Sequence, residues 1–92
     1  MFKKNKKVYV VTGFCWELKN NVSYPLQINK VFSTYKKALK YVNNISINLQ
    51  DEANEMDYKM KKLFFNINFQ TLEVEYENGT VENIIITESE VQ

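Results

Sequence analysis

Glu73, Glu75 and Glu77 alternate with apolar residues in Leu72-Glu73-Val74-Glu75-Tyr76-Glu77. On an extended backbone this puts three carboxylates on one side, successive groups about 6.6–6.8 Å apart. Read as a two-residue type I′ turn, Asn78-Gly79 sets Glu82 across from Glu75 and extends the strip. Glycosidase carboxylate pairs use a similar separation. Here no apolar pocket surrounds the acids to hold one protonated, so the strip reads as a solvated sheet face or an acidic surface for a partner. Lys36, Lys37 and Lys40, with Tyr41 beside them, crowd the first turns of a helix. The positive end of the helix dipole disfavours cations there, so the patch reads as a solvated helix face or, as a functional hint, a surface for an acidic partner or a phosphate. Ser33-Thr34-Tyr35-Lys36 has the S-x-x-K spacing of a Ser nucleophile one turn from a Lys. Its S-D-N and K-T-G companions are missing, which leaves a helix cap followed by a surface lysine.

Composition removes most other chemistry. The chain has no histidine, one cysteine (Cys15) and two isolated glycines (Gly13 and Gly79) in 92 residues. Ser-His and Cys-His nucleophile pairs therefore cannot be built. A four-ligand structural zinc site is equally out of reach, and no glycine-rich loop is present to cradle a phosphate. Cys15 sits between Phe14 and Trp16 with no base or cation next to it, the setting of a small core residue rather than a reactive thiol. No catalytic residue, metal ligand or cofactor site is expected, and the chain reads as a non-enzymatic protein.

Charge is distributed very unevenly. Residues 1–50 hold nine lysines and one acid, net +8, whereas residues 51–92 hold three lysines and ten acids, net −7. A protein partner is the first reading of such a bipolar chain. The alternative is nucleic acid held by Lys3, Lys4, Lys6, Lys7, Lys36, Lys37 and Lys40. Against it, all twelve basic residues are lysine, while arginine is the preferred reader of phosphate and guanine. The longest apolar run, Val8 to Val11, is too short to span a membrane. One cysteine excludes an internal disulfide, and the basic start lacks a cleavage signal. A cytoplasmic protein is expected.

Residues 1–92 read as one small domain. Lys7 to Leu18 alternates Val8, Val10, Thr12, Phe14, Trp16 and Leu18 against Tyr9, Val11, Gly13, Cys15 and Glu17, the period of a strand. Val22, Tyr24, Leu26 and Ile28 alternate again after a turn at Lys19–Asn21, and Pro25 assigns that strand to an edge. Ser33 is placed to cap a helix. Apolar steps of three and four then run from Tyr35 to Leu63, giving one helix over about 34–62, or two that break near Asn48–Asp51. The period returns to two after Leu63, with a change of parity at Gln70-Thr71 that implies a bulge or a break. The expected fold is α+β: an antiparallel sheet of about four strands (ββαββ), with one long or broken helix packed on one face.

Val8-Tyr9-Val10-Val11-Thr12, and the segment Val31-Phe32-Ser33-Thr34-Tyr35-Lys36-Lys37-Ala38-Leu39-Lys40-Tyr41-Val42, resemble small accessory proteins of phages and mobile elements of low-GC Gram-positive bacteria. In those proteins a YVVT strand precedes a helix that starts in the same way. The resemblance implies a small non-enzymatic binder of a host protein, a group that includes anti-CRISPR-type inhibitors of host defence. The shared motifs are a strand and a capped helix and bring no catalytic residue with them.

A helix packed on the sheet's apolar face would turn Lys36, Lys37 and Lys40 to one surface and Glu73, Glu75 and Glu77 to the other. The two patches can then meet only between molecules, through exposed pairs that each contribute about 0–1 kcal/mol. The expected outcome is a weak dimer at low ionic strength that dissociates as salt shortens the screening length. Sedimentation at two salt concentrations checks this, and a strict monomer at low salt refutes it.

Overall fold

The structure, a computed structural model, describes residues 6–55 and 59–91. Its elements are β1 (Lys6–Glu17), β2 (Val22–Phe32), α1 (Tyr35–Glu55), β3 (Met60–Asn66), β4 (Thr71–Tyr76) and β5 (Thr80–Val91). The strands form one antiparallel sheet in the order β2-β1-β5-β4-β3. The class is α+β as expected, with five strands rather than four. None of the described helical residues forms a segment long and apolar enough to cross a membrane.

β1 lies between β2 and β5 and pairs with β5 along its whole length, from Lys6 opposite Val91 to Glu17 opposite Thr80. Its odd-numbered residues face α1. Val11 sits opposite Ile86 and Gly13 opposite Ile84, and Leu72 and Val74 of β4 continue the same layer. Together with Ala38 and Val42 of α1 these side chains are almost fully buried and make the core. Around it pack Leu26, Ile28, Leu63 and Phe65. Tyr9 meets Tyr35 edge-on at 5.8 Å, and Phe32 meets Tyr41 at 5.2 Å between ring centroids.

Three expectations are resolved or corrected, each for a local reason. The helix runs unbroken across Asn48–Asp51 and ends at Glu55, because the apolar step from Met60 to Leu63 belongs to a strand. β3 has a register irregularity between Met60 and Lys62, so Met60 pairs with Tyr76 and Leu63 with Val74. A bulge inserts one residue into a strand, and it thereby reproduces the step of three that a helix would show. The parity change at Gln70-Thr71 is a complete turn between two strands. Asn66 Oδ1 accepts the Asn68 and Phe69 N–H groups at 3.1 and 3.4 Å, and Gln70 takes a φ of 50°. Ile67 and Phe69, which alternation alone would assign to a strand face, stand in that turn exposed to solvent.

The helix cap is displaced by one residue. Thr34, not Ser33, is the N-cap: its Oγ1 accepts the Lys37 N–H at 3.2 Å and its carbonyl accepts the Ala38 N–H at 3.2 Å. The first turn of α1 has no acid and its last turn no base, so the helix is charged against its own dipole.

At Gly13 the β1 backbone comes close to a neighbouring side chain. A Cβ there would lie 3.0 Å from Leu26 Cδ1 and 3.3 Å from Leu26 Cβ. Overpacking of this kind opposes the gain from a stiffer unfolded chain. The Leu26 Cβ, unlike its methyl groups, cannot rotate away, so the steric effect wins. Gly13→Ala should destabilise the fold by about 1 kcal/mol, and Gly13→Val by more, as read by chemical denaturation. A stabilised Gly13→Ala variant would contradict this packing.

Candidate functional site

The β4–β5 hairpin decides where the acidic residues go. Gly79 has a φ of 90° while Asn78 stays out of the left-handed region, and the Gly79 N–H donates to the Tyr76 carbonyl at 3.0 Å. This is a three-residue loop with glycine in its left-handed position, not the two-residue type I′ turn. Asn78 Oδ1 accepts the Thr80 N–H at 2.9 Å and fixes the loop. The longer loop shifts the register by one residue, so Glu75 pairs with Val81 and Val74 with Glu82. A shift of one moves a side chain to the other face. Glu82 therefore leaves the acidic strip and points into the helix layer, a correction to its expected place across from Glu75.

On the helix side Glu82 lines a pocket of about 330 Å³ with Cys15, Tyr24, Glu52 and Tyr76. The Tyr76 hydroxyl donates to the Glu82 carboxylate. Burial is the main cause that raises the Glu82 carboxyl above its ordinary value; the charge of Glu52 adds to it, and the Tyr76 hydrogen bond opposes it. Burial also pushes the Tyr76 hydroxyl up, with Glu82 second. Tyr24 is pushed up to about 12, first by its hydrogen bond with Cys15. Among the described residues no group of three or more His, Cys, Asp or Glu side chains is placed to hold a metal.

The other acids stay on the opposite face. Glu73 accepts from Asn66 Nδ2 at 3.1 Å, and Glu75 lies 3.7 Å from Lys61 Nζ. Glu77 falls beyond the end of β4, in the turn, where its N–H donates to the Lys59 carbonyl at 2.9 Å. The strip is thus Glu73 and Glu75, each with a polar neighbour from β3.

The lysines of α1 divide between its two flanks. Lys36 and Lys40 line a cleft of about 630 Å³ between α1 and β3, whose apolar walls include Leu39, Leu63, Phe65 and Leu72. Lys37 is not part of it. Tyr41 turns the other way and is half-buried against Phe32. The four expected patch residues are therefore not one surface; Lys36 and Lys40 alone stand together over the cleft. At the far end of the molecule β1 and β5 run on as a two-stranded ribbon, where Lys7 Nζ meets Glu88 Oε1 at 3.1 Å. Lys7 there stands among Glu88 and Glu90 of β5, while Lys6 pairs with Val91 and turns to the other face, so the two do not form a continuous basic stripe. Lys3 and Lys4 lie outside the described residues.

Sequence reasoning did not single out the uncovered face of the sheet. Even-numbered β1 residues point there, with Val31 of β2, Val81 and Ile85 of β5 and Phe64 of β3 on the same side. Phe14 is 49% exposed, Trp16 48%, Val31 61% and Phe64 36%. The signal was present in β1, whose two alternating sets are both largely apolar. One set faces the helix, and the other needs a second cover or stands in water.

No protein-family model, curated protein or solved structure matches this chain.

Because the Glu82 carboxyl is raised in the folded state, the folded chain holds that proton more tightly than the unfolded one. The resulting stability is fully present below the unfolded carboxyl's ordinary value and is lost as pH rises through the folded value. Glu82→Gln keeps an acceptor for Tyr76 and removes the charge. It should raise the melting temperature at about pH 8, with the difference from the parent closing by about pH 4. Thermal melts across that range check it. A variant that melts lower than the parent at the alkaline end would mean the carboxylate is stabilising.

Proposed function

We propose that this protein is a non-enzymatic protein-binding module, of the accessory or inhibitor type that phages and mobile elements direct against host proteins, anti-CRISPR-type inhibitors included. The observation that carries the reading is the uncovered sheet face, with Phe14 and Trp16 half-exposed side by side on β1 and Val81 of β5 next to Trp16. Large aromatic side chains on a rigid strand lose little conformational freedom on binding, and aromatic residues are enriched at the centres of protein interfaces. Contiguous apolar surface rimmed by polar groups marks interaction sites, and here Glu73 and Glu75 of β4 provide part of the rim. A composition without histidine and with a single cysteine agrees with binding rather than turnover.

Trp16→Ala and Phe14→Ala remove contact surface without opening the core, because both side chains face away from α1. The expected result is retention of a stoichiometric protein partner from a low-GC bacterial lysate by the parent. Trp16→Ala should weaken that complex about 30-fold, the equivalent of a 2 kcal/mol interface anchor, with a far smaller change in melting temperature. Turnover of a small molecule with no stoichiometric protein partner would sink the proposal.

A further inference from the structure

The sheet ends in two unlike edges. β2 carries Pro25, which has no N–H to offer, and its register against β1 shifts between Thr12 and Phe14. Both features blunt an edge against further pairing. β3 contains neither proline nor glycine, and from Lys62 to Asn66 its pairing with β4 is regular. Along that stretch every second residue turns its backbone N–H and C=O away from β4. Immediately beside this row lies the cleft under α1. A strand edge flanked by a groove beneath a helix is a geometry in which a domain takes up a peptide as an added strand. The backbone ladder then gives affinity, and pockets for alternate side chains give specificity.

Charge identifies the peptide. No carboxylate lines the cleft, and Lys36 and Lys40 do. On the other side of the same edge Lys62 holds its ammonium 4.4 Å from the Phe64 ring centroid. The strand that β3 already accepts on its inner side, β4, puts Leu72 and Val74 toward the helix and Glu73 and Glu75 away from it. A strand of the same alternation on the outer side would meet the same chemistry, apolar toward Leu63 and Phe65 and acidic toward Lys62. Lysines on an edge repel another copy of the same basic strand, which disfavours β3-to-β3 pairing between two molecules.

We propose that the outer edge of β3 and the α1–β3 cleft bind an extended acidic-apolar peptide segment of a protein partner as a sixth strand. Apolar side chains of the peptide enter the cleft, and its carboxylates lie in the field of Lys36, Lys40 and Lys62. Five regular residues give a contact about 16 Å long. This goes beyond the reading above, since it uses a strand edge and the helix side and meets the uncovered face only at Lys62, away from Phe14 and Trp16, and either surface can fail without the other.

The test is a titration of the ¹⁵N-labelled full chain with a capped heptapeptide that alternates glutamate with valine and leucine. Saturable shifts should concentrate in Lys62–Asn66 and the first half of α1, with slowed hydrogen exchange at outward β3 amides. The double variant Lys36→Glu/Lys40→Glu places acids where the helix dipole favours them, so it should fold, and it should bind the peptide about tenfold more weakly at low salt. The double variant Phe14→Ala/Trp16→Ala should bind it as the parent does, which separates this site from the uncovered face. Three results overturn the proposal: no response in β3 at millimolar peptide, equal binding of a counterpart with lysine for every glutamate, or shifts centred on Phe14 and Trp16.

Discussion

The pairing of β1 with β5 is the interaction on which the other parts of this molecule depend. It joins the first strand to the last through twelve consecutive residue pairs, and the core sits on its middle, where Val11 meets Ile86 and Gly13 meets Ile84. Side chains alternate across a strand, so this one register decides what both faces of the sheet present. A slip of one residue in β5 would put Ile84 and Ile86 in water and Asn83 and Ile85 under the helix. On the other side of β1, the close approach of Leu26 to Gly13 constrains the pairing with β2, since no other residue type at that position leaves Leu26 its room.

A single helix can cover one face of a five-stranded sheet, and that arithmetic separates the surfaces. The covered face has an apolar centre and, at the end near Tyr76, a half-buried carboxylate with a hydroxyl donor. The uncovered face keeps aromatic residues in its central strands and acids on β4. Between the layers the cleft opens beside β3, because α1 presents Asn43, Ser46 and Gln50 on that flank where larger apolar side chains would fill the space. Lys36 and Lys40 stand at the rim of that cleft, near the helix start. A cation in the first turn costs a helix about 0.3–1 kcal/mol, which applies to Lys36.

Much of this arrangement can be read from the residues alone. The alternation in β1 and β2, the edge position that Pro25 requires, the α+β class and one continuous helical face all follow from period and residue type. What could not be read has specific causes. The Met60-to-Leu63 step is common to a helix and a bulged strand, so only the pairing with Tyr76 and Val74 decides between them. Asn78-Gly79 suits both a two-residue and a three-residue loop, and the choice between them moves Glu82 through the sheet. Tyr41 belongs with Phe32 because α1 folds back on the end of β2, a contact across the strand–helix junction that neither the strand period nor the helix period encodes. Lys36 and Lys37, adjacent in sequence, separate because successive residues on a helix stand about 100° apart.

The order of the strands also sets a timetable. β2 reaches β1 through the short turn at Leu18–Asn21, but β5 follows only after α1, β3 and β4 have been made. At ribosomal speeds the chain between Glu17 and Thr80 takes roughly 3–13 s to synthesise. During that interval the nascent β1–β2 hairpin and α1 have Val11 and Cys15 in place with no inner neighbour for β1. Pairing across so long a separation is slow to nucleate, because loop closure must be completed before the contacts reward it. The inner edge of β1 is therefore open to any strand that arrives first, and in a polysome the nearest finished strand of matching sequence belongs to the copy ahead. Only when Ile84 and Ile86 arrive does β1 gain its inner neighbour and the core close.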